Sequence, residues 1–543
     1  LKPGWTWLAA KNVRYRDENV SFFWYNGYIY TNSDLKSNFR RRKSKREVSH
    51  LVKSNSFHIA FQSESGKDSE LLIFIASPEG KQVEITIDKS LVGMEKRLVY
   101  NLNAGEAKFI RIASAADRPE WMPIYFRPEK ALRKKVSLNN EWKFCKGDVL
   151  NAQLQTTGDA LWESVTLPHS WNATDIFDNR NFNDGLDIYS SYWRGICWYR
   201  KQFGLSVDYK GKRIFVEFEA ANQIADVWLN GVYLGKHIGG YLGFHFDVSD
   251  IVHFDEQNLL AVKVDNRYNY DVPPHIADFD MMGGITRDVW LTATDHMHVI
   301  STKITTSKVS RKEAVVEVIT EIKNDLSSSQ KSKLVTNIVD SDGFIVSSMV
   351  TVQTIGGQSK GIFKQRREDI SYPRLWSPYE PNLYTVYSHV YTGDSLIDVF
   401  ESPLGFRWFE FDAQKGFFLN GEYLKLRGVN LHQDRFGMGS AAPDSLRIKD
   451  IGLLKNMGIN FVRLAHYPHD PCILDECDRL GIIVWEEIPY VNTTGREKFI
   501  ENTKNMMLEM IHRDRNHPSV VFWGIGNEMA MGSIAKSEVP YIK

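Results

Sequence analysis

The sequence predicts a multidomain protein that combines β-sandwiches with an α/β domain. The chain has 543 residues, enough for three to five domains. Up to about residue 404, short apolar segments alternate with polar turns, which is typical of β-sandwiches. From about residue 405, strand-like and helix-like segments alternate, which indicates parallel βα units. We therefore expect an extra β-rich N-terminal domain, a jelly-roll β-sandwich, an immunoglobulin-like β-sandwich and then the first half of a (β/α)8 TIM barrel.

The first of these domains, residues 1–118, is predicted to be a small β-domain. Asn26-Gly27 lies in an aromatic-rich segment and predicts a hairpin turn. The basic run at 40–46 admits two interpretations, a patch for nucleic acid or anionic glycans and a solvated loop. We favour the loop because the chain has no net charge. Further strands are predicted at 57–62, 71–76, 83–87 and 108–112.

Two sandwich domains are predicted next, at 119–300 and 301–404, after a proline-containing linker at 117–134. In the first, Asn230-Gly231 separates two alternating segments and predicts a turn. No long helical period occurs there, which favours a jelly roll. The second has a polar turn at 340–343 and is typical of an immunoglobulin-like sandwich. Its strands are predicted at 302–306, 314–322, 333–340, 346–353 and 384–392.

The last domain, 405–543, has the alternation of a parallel α/β barrel. Asp444 is expected to cap the first helix, and Gly481 to end the second. Four strands with three intervening helices make the first half of a (β/α)8 barrel, in which chemistry takes place at the carboxyl ends of the strands. The strands are predicted at 423–429, 460–465, 482–487 and 519–525, and the helices at 444–457, 470–480 and 497–513.

Charge, hydropathy and cysteine content argue against binding to nucleic acid, insertion in a membrane and a cysteine metal site. Lys and Arg number 67, as do Asp and Glu, so no overall field favours nucleic acid or a membrane. No run of 18 apolar residues is present. The four cysteines are scattered without a metal-type cluster. The chain begins at Leu1 without a signal peptide, so we expect a processed, trimmed or incomplete N-terminus, and a periplasmic or extracellular location is favoured over the cytoplasm.

Polar side chains are predicted at the carboxyl end of every barrel strand. Each has a structural interpretation as well. A single histidine is more often a hydrogen-bonded structural residue, Glu486 or Glu487 could pair with Arg463, and Glu528 could cap a helix. Four consecutive strands that place polar groups at one rim favour an active site instead. The groups are Asn430 and His432, Arg463 and His466, Glu486 and Glu487, and Asn527 and Glu528.

These residues lie in long motifs that resemble glycoside hydrolase family 2, which includes β-galactosidases, β-glucuronidases and β-mannosidases. The resemblance covers roughly 135–543, in the order of the family's jelly roll, sandwich and barrel. The motifs are Arg427-Gly-Val-Asn-Leu-His432, Asn460-Phe-Val-Arg-Leu-Ala-His-Tyr-Pro468, Cys477-Asp-Arg-Leu-Gly-Ile-Ile-Val-Trp-Glu-Glu-Ile-Pro489 and Trp523-Gly-Ile-Gly-Asn-Glu528.

The resemblance implies a role for each matching residue in a retaining mechanism, which uses one carboxyl as acid/base and another as nucleophile. Glu528 would be the general acid/base, and Asn527 would contact the sugar 2-hydroxyl. The remaining matching residues would bind the substrate. Trp523 would line the site, and Asp278 would be an acid contributed by the jelly-roll domain. The others are His432, His466, Arg463 and Glu487.

The substrate implied by the resemblance is a terminal β-linked sugar. The pattern Pro273-Pro274 followed by Gly283-Gly-Ile-Thr-Arg-Asp288 most resembles β-galactosidases, and β-glucuronidases share the Asp278 position. A different class of function is a non-catalytic carbohydrate-binding protein with a vestigial half barrel. A carbohydrate is the expected partner, without nucleic acid or membrane, and a homo-oligomer is compatible with the sequence.

The sequence departs from the family in two places. The family's nucleophile comes from a late barrel strand, yet only residues 529–543 follow Glu528, and Glu538 among them matches no nucleophile motif. We expect the chain alone to be an inactive, C-terminally incomplete piece of an active glycosidase. Some family members hold magnesium with a Glu-x-His pair. The matching positions of this sequence are Val491 and Thr493. Since a hard cation prefers carboxylate oxygens, we expect no metal and no cofactor.

Overall fold

A computed structural model describes the protein in two units, Leu1–Tyr125 and Phe126–Lys543, each taken here by itself. In the first unit it describes the backbone of the strands between residues 7 and 113. In the second it describes residues 132–175, 192–274, 277, 279, 281–492 and 495–529. Within these residues no helix is both long and apolar enough to cross a membrane.

The first unit contains three antiparallel sheets of three strands each, with the orders β1-β2-β3, β4-β7-β8 and β5-β6-β9. The predicted strands at 57–62, 71–76, 83–87 and 108–112 are confirmed. The basic run at 40–46 lies outside the described residues, as does most of the predicted linker. The strands are β1 Trp7–Tyr15, β2 Glu18–Tyr25, β3 Tyr28–Thr31, β4 Val52–Lys53, β5 Phe57–Gln62, β6 Glu70–Ser77, β7 Gln82–Ile87, β8 Lys96–Asn101 and β9 Glu106–Ala113.

The next domain, which we call the first sandwich, packs two antiparallel sheets face to face. Their orders are β10-β21-β15-β18 and β12-β11-β14-β19-β16-β17, and β13 pairs with β20. Apolar side chains from both sheets form one core around Trp142 and Phe218. The strands are β10 Lys134–Ser137, β11 Trp142–Lys146, β12 Glu163–Val165, β13 His169–Ser170, β14 Ile196–Gly204, β15 Arg213–Phe218, β16 Ile224–Leu229, β17 Val232–Ile238, β18 Phe244–Asp247, β19 Gln257–Asp265, β20 Gly284–Ile285 and β21 Val289–Thr294.

The predicted turn between β16 and β17 is confirmed. Leu229 pairs with Val232 across it. Asn230 and Gly231 both have positive φ, 52° and 83°, which a two-residue hairpin of this twist requires. The Asn230 side chain also donates to Asn258 Oδ1 at 2.9 Å, which ties the turn to β19.

The second sandwich has the sheets β22-β23-β26 and β25-β24-β27-β28. All five predicted strands are present, but the sequence did not predict β26 and β28. In β26 a charged run at 364–369 masks the alternation, although every second residue over much of the strand is buried. The strands are β22 Met297–Ser307, β23 Glu313–Asn324, β24 Gln330–Asp340, β25 Ile345–Ile355, β26 Ser359–Ser371, β27 Tyr384–Thr392 and β28 Ser395–Leu404.

Beyond the second sandwich, a small antiparallel sheet precedes a parallel one. The small sheet consists of β29 Phe409–Asp412, β30 Gly416–Leu419 and β31 Glu422–Tyr423. The parallel sheet has the order β32-β33-β34-β35, with one helix after each of the first three strands. Its elements are β32 Gly428–Leu431, α1 Asp444–Asn456, β33 Phe461–Leu464, α2 Pro471–Leu480, β34 Ile483–Glu487, α3 Glu497–Asp514 and β35 Val520–Gly524.

Two local predictions for this region need correction. The predicted strand at 423–429 is two elements, since Glu422–Tyr423 closes the small sheet and the parallel strand begins only at Gly428. Asp444 is the first residue of α1 and not its cap; Pro443 holds the capping position without a side-chain bond. The prediction for α2 is confirmed, because Gly481 follows it with φ 68°, a left-handed conformation that suits glycine.

Candidate active site

The carboxyl ends of β32–β35 lie along one edge of the parallel sheet, and the predicted polar residues follow them. His432 comes directly after β32, and Arg463 lies in β33 with His466 just beyond it. Glu487 ends β34, and Asn527-Glu528 follows β35. Because the strands are parallel and pair along this end, with one register shift between β34 and β35, residues far apart in sequence meet at this edge.

Glu487 is at the centre of this group, and its side chain is 0% exposed. Its carboxylate accepts hydrogen bonds from Arg463 Nη2 at 2.8 Å and His466 Nδ1 at 3.1 Å. Trp485 Nε1 donates to it at 3.1 Å. A carboxylate only accepts, so the proton of His466 lies on Nδ1. β33, the loop after it and β34 are therefore connected through a single buried charge.

Gly524 makes room for this carboxylate. A Cβ at Gly524 would lie 2.3 Å from Trp485 Nε1 and 2.7 Å from Glu487 Oε2, closer than any real side chain approaches. Glycine is thus required at this position of β35 by close approach and not by backbone conformation.

Asn527 is tied to the same network. Its Oδ1 accepts from Arg463 Nη2 at 3.0 Å. Its backbone N–H donates to Tyr490 O at 2.8 Å, and its carbonyl accepts from Asn492 at 3.0 Å. The following residue, Glu528, has a positive φ of 50° and an exposed side chain. A fixed amide and an accessible carboxyl therefore stand next to each other at the sheet edge.

The two histidines lie side by side, with ring centroids 5.2 Å apart. Nδ1 of His432 is 3.2 Å from the Tyr467 hydroxyl, which also accepts the backbone N–H of Gln433 at 3.2 Å. Burial, with Asp434 nearby, raises the pKa of Tyr467 well above its usual range, so the hydroxyl keeps its proton. That proton is then available to Nδ1 of His432.

The first sandwich contributes aromatic rings to this edge. Phe279 lies 5.5 Å from the His432 ring and 6.2 Å from the His466 ring, centroid to centroid. Tyr241 stacks on Tyr467 at 4.3 Å. Asp278, the predicted acid from this domain, lies outside the described residues. Its neighbour Phe279 is described, and the ring of that residue lies against the two histidines.

The Trp523 side chain was expected to line the site, but it lies on the other face of the sheet. It pairs in register with Glu486, whose carboxylate accepts from Arg513 of α3 at 3.1 Å. Paired residues of parallel strands share a face, so the Trp523 ring packs between the sheet and the helices. Burial, together with Asp514, raises the pKa of Glu486 well above its usual range. The Glu486 and Glu487 side chains thus lie on opposite faces of β34.

Val491, one of the two positions where some family members hold magnesium, does not fit a cation. Val491 is 1% exposed and packs in an apolar cluster with Tyr192, Ala277 and Met281. It offers no oxygen ligand, which a hard cation requires. Thr493 lies outside the described residues.

Sequence reasoning missed several side chains that complete the site. Tyr467 follows His466 in a quoted motif, but no pattern indicated that its hydroxyl reaches His432. Trp485 lies two residues before Glu487 and so on the same face of β34, a spacing that could have revealed it. No sequence signal indicated Phe279 and Tyr241, because their contacts cross between domains.

Family models match consecutive parts of the chain. "Glycosyl hydrolases family 2, sugar binding domain" matches residues 135–295, "Glycosyl hydrolases family 2" matches 297–407, and "Glycosyl hydrolases family 2, TIM barrel domain" matches 412–543. The chain belongs to glycosyl hydrolase family 2. The three matched domains of this family 2 protein follow the order of the two sandwiches and the parallel sheet.

Relatives of this family 2 chain carry two activity names. A putative beta-glucuronidase of Formosa agariphila is 38% identical over 400 residues, covering 73% of this chain and 46% of the relative. A beta-galactosidase of Thermoanaerobacter pseudethanolicus is 34% identical, covering 72% and 51%. The solved beta-glucuronidase of Bacteroides uniformis superposes with a TM-score of 0.69 at 35% identity, covering 73% and 47%. The chain spans about half the length of the curated relatives it matches.

Proposed function

We propose that this protein is a retaining β-glycoside hydrolase in which Glu528 is the general acid/base. The observation that carries the proposal is the accessible Glu528 carboxyl beside an amide held by Arg463. A proton donor must reach the glycosidic oxygen, which suits an exposed carboxyl at the end of a strand. Glu487 is already bonded to three side chains, so it serves the site as a fixed charge.

The neighbouring groups suit recognition of a sugar. Oδ1 of Asn527 is bonded to Arg463, which leaves the Nδ2 amide as a donor to a sugar hydroxyl. A bond from Tyr467 to Nδ1 of His432 would put the ring proton on Nε2. The bond from His466 Nδ1 to Glu487 leaves its Nε2 as the ring nitrogen that can face a sugar hydroxyl. We propose that the two histidines recognise hydroxyl groups of one sugar ring, with Asp278 contributing from the first sandwich.

For the sugar itself we propose galactose, on the Pro273-Pro274 and Gly283-Gly284 pattern of the sequence. Glucuronic acid is the second candidate, because relatives and solved structures named beta-glucuronidase are as similar to this chain as those named beta-galactosidase. A carbohydrate is thus the proposed partner.

We also infer the finer architecture that the family names suggest. The first sandwich would have jelly-roll connections, and β32–β35 would be half of an eight-stranded barrel. The domain limits 1–118, 119–300, 301–404 and 405–543 belong to the same proposal.

The test is hydrolysis of p-nitrophenyl β-galactoside, β-glucuronide and β-mannoside by the full-length protein. We expect turnover of one of them, and Glu528→Gln should lower kcat/KM by about 10²- to 10⁴-fold, the usual contribution of a general acid. A dinitrophenyl glycoside should lose less, because its leaving group needs no proton.

Glu501→Gln is the matched control, since Glu501 is an exposed carboxylate of α3 and is not among the residues that follow the parallel strands. It should leave kcat/KM unchanged. If no glycoside is hydrolysed by the folded protein, the carbohydrate-binding alternative gains support. If Glu528→Gln retains full activity on the p-nitrophenyl substrate, the acid/base lies elsewhere.

A further inference from the structure

Arg287 of the first sandwich is buried against the histidine-bearing edge of the parallel sheet. It lies between β20 and β21 and is 1% exposed. Its Nη1 donates to Tyr241 O at 2.8 Å, within its own domain. Its Nη2 donates to Gln433 Oε1 at 3.1 Å and to Pro468 O at 2.6 Å, both in the loops after β32 and β33. One guanidinium therefore connects the sandwich with two separate loops of the sheet edge.

Those two loops carry His432 and His466. Gln433, which accepts from Arg287 through its side chain, donates its backbone N–H to the Tyr467 hydroxyl. The same hydroxyl contacts Nδ1 of His432. Tyr241, whose carbonyl accepts from Arg287, stacks its ring on Tyr467. Every step from the guanidinium to the His432 ring is thus a direct contact.

The guanidinium is stabilised in this buried position by Asp470, whose Oδ2 lies 3.8 Å from Arg287 Nε. Asp470 also accepts the Cys472 N–H at the start of α2. Burial lowers the pKa of Arg287 to about 10, partly offset by Asp470, so it stays a cation at neutral pH. The guanidinium of arginine presents its donors in a rigid planar fork, a geometry that the single ammonium group of lysine does not reproduce.

We propose that Arg287 is a positioning residue that sets the orientation of Tyr467 and His432 from outside the parallel sheet. The proposal rests on the proposed function for its effect on catalysis. Its structural part, the orientation of His432, can be measured without any substrate.

Arg447 supplies a matched control. It is also buried, and its Nε lies 3.6 Å from the same Asp470 oxygen. Its other bonds go to Ala442 O at 2.8 Å, Ser440 O at 2.7 Å and, at the long distance of 3.5 Å, Thr286 O, and not to Gln433 or Pro468. Arg287→Lys and Arg447→Lys therefore disturb the same ion cluster, but only the first disturbs the bonds that lead to His432.

The experiment records the histidine ring signals of the full-length protein, labelled with ¹³C-histidine, alongside kcat and KM. Signals are assigned with His432→Gln and His466→Gln. We expect Arg287→Lys to shift the His432 signal and to lower kcat/KM by roughly 10- to 100-fold, the effect of misplacing a binding group by about 1 Å. Arg447→Lys should lower Tm but leave the His432 signal and kcat/KM at their original values.

A His432 signal that stays in place in Arg287→Lys would overturn the proposal, as would an equal shift in Arg447→Lys. If Arg287→Lys does not fold, Gln433→Met removes one of the two acceptors on the sheet side, leaves Pro468 O in place and should shift the same signal. If no glycoside is hydrolysed, the proposed function fails, while the His432 signal still decides the role of Arg287.

Discussion

Glu487 and Glu528 follow neighbouring strands of one sheet, yet their surroundings are opposite. Glu487 is buried and bonded to Arg463, His466 and Trp485. Glu528 is exposed, at a residue with positive φ. A buried carboxylate with a tightly bound cation is a fixed charge, because releasing or protonating it breaks the whole network. An exposed one can exchange its proton with solvent and substrate. The difference shows that position at the sheet edge does not by itself assign a chemical role.

The largest difference between Glu487 and Glu528 is expected in what each contributes to the stability of the protein. Glu487→Gln leaves the Arg463 guanidinium without its charge partner, so we expect a loss of about 3 kcal/mol, the low end for a broken buried pair since Arg463 is itself partly exposed. Glu528→Gln should change the free energy of unfolding by no more than about 0.5 kcal/mol, as is usual for an exposed side chain.

Differential scanning calorimetry of both variants checks this contrast. Equal losses of Tm in the two variants would mean that the two carboxylates are equally embedded, against the surroundings described above. The Glu528→Gln result also shows whether its expected loss of activity occurs in a fully folded protein.

A third carboxylate sharpens the comparison, because it is half-buried and its ion pair is long. Glu219 of the first sandwich accepts from Trp290 Nε1 at 2.8 Å, and Lys135 is 3.8 Å away. Burial, with Asp470, raises the pKa of Glu219 to about 7. The folded state then holds this proton more tightly than the unfolded state, whose pKa is the usual 4.5. Stability should therefore fall as pH rises from 4.5 to 7, by up to about 3 kcal/mol.

Glu219→Gln tests this dependence. The variant keeps an acceptor for Trp290 and has no charge to bury, so it should be more stable than the parent protein at pH 8 and similar at pH 4.5. Denaturant midpoints at the two pH values give the answer. If the denaturant midpoints of the variant and the parent protein differ by the same amount at pH 4.5 and pH 8, the charge of Glu219 does not destabilise the folded state.

The smallest expected effect concerns the space around Glu487. Gly524→Ala places a Cβ against Trp485 and Glu487, so overpacking should cost about 1–3 kcal/mol. Gly452→Ala is the control, because it lies within α1 and a Cβ there meets nothing within 4 Å. That change should stabilise the protein by up to about 1 kcal/mol. Thermal unfolding of Gly524→Ala and Gly452→Ala measures the two changes in Tm. If both variants have a higher Tm, or both a lower one, the packing argument is wrong.

Local patterns predicted much of the fold because they act over a few residues. The Asn230-Gly231 turn, the end of α2 at Gly481 and the last three parallel strands follow from backbone preference and periodicity. The charged run in β26 defeated the same reasoning, since polar Gln365 is among its buried side chains while apolar Ile362 is exposed. The cap expected at Asp444 failed by one residue, because helix ends depend on neighbouring segments.

The amino-acid sequence by itself determined which polar residues end the parallel strands, and hence that Arg463, Glu487, Asn527 and Glu528 share an edge. Only the tertiary structure decided that Arg463 pairs with Glu487 and not Glu486, that Trp523 packs toward the helices, and that Arg287 reaches the histidine loops. Strand position depends on local chain preferences. Pairing depends on distances between segments far apart in the sequence, which are set only when sheet, helices and sandwich pack together.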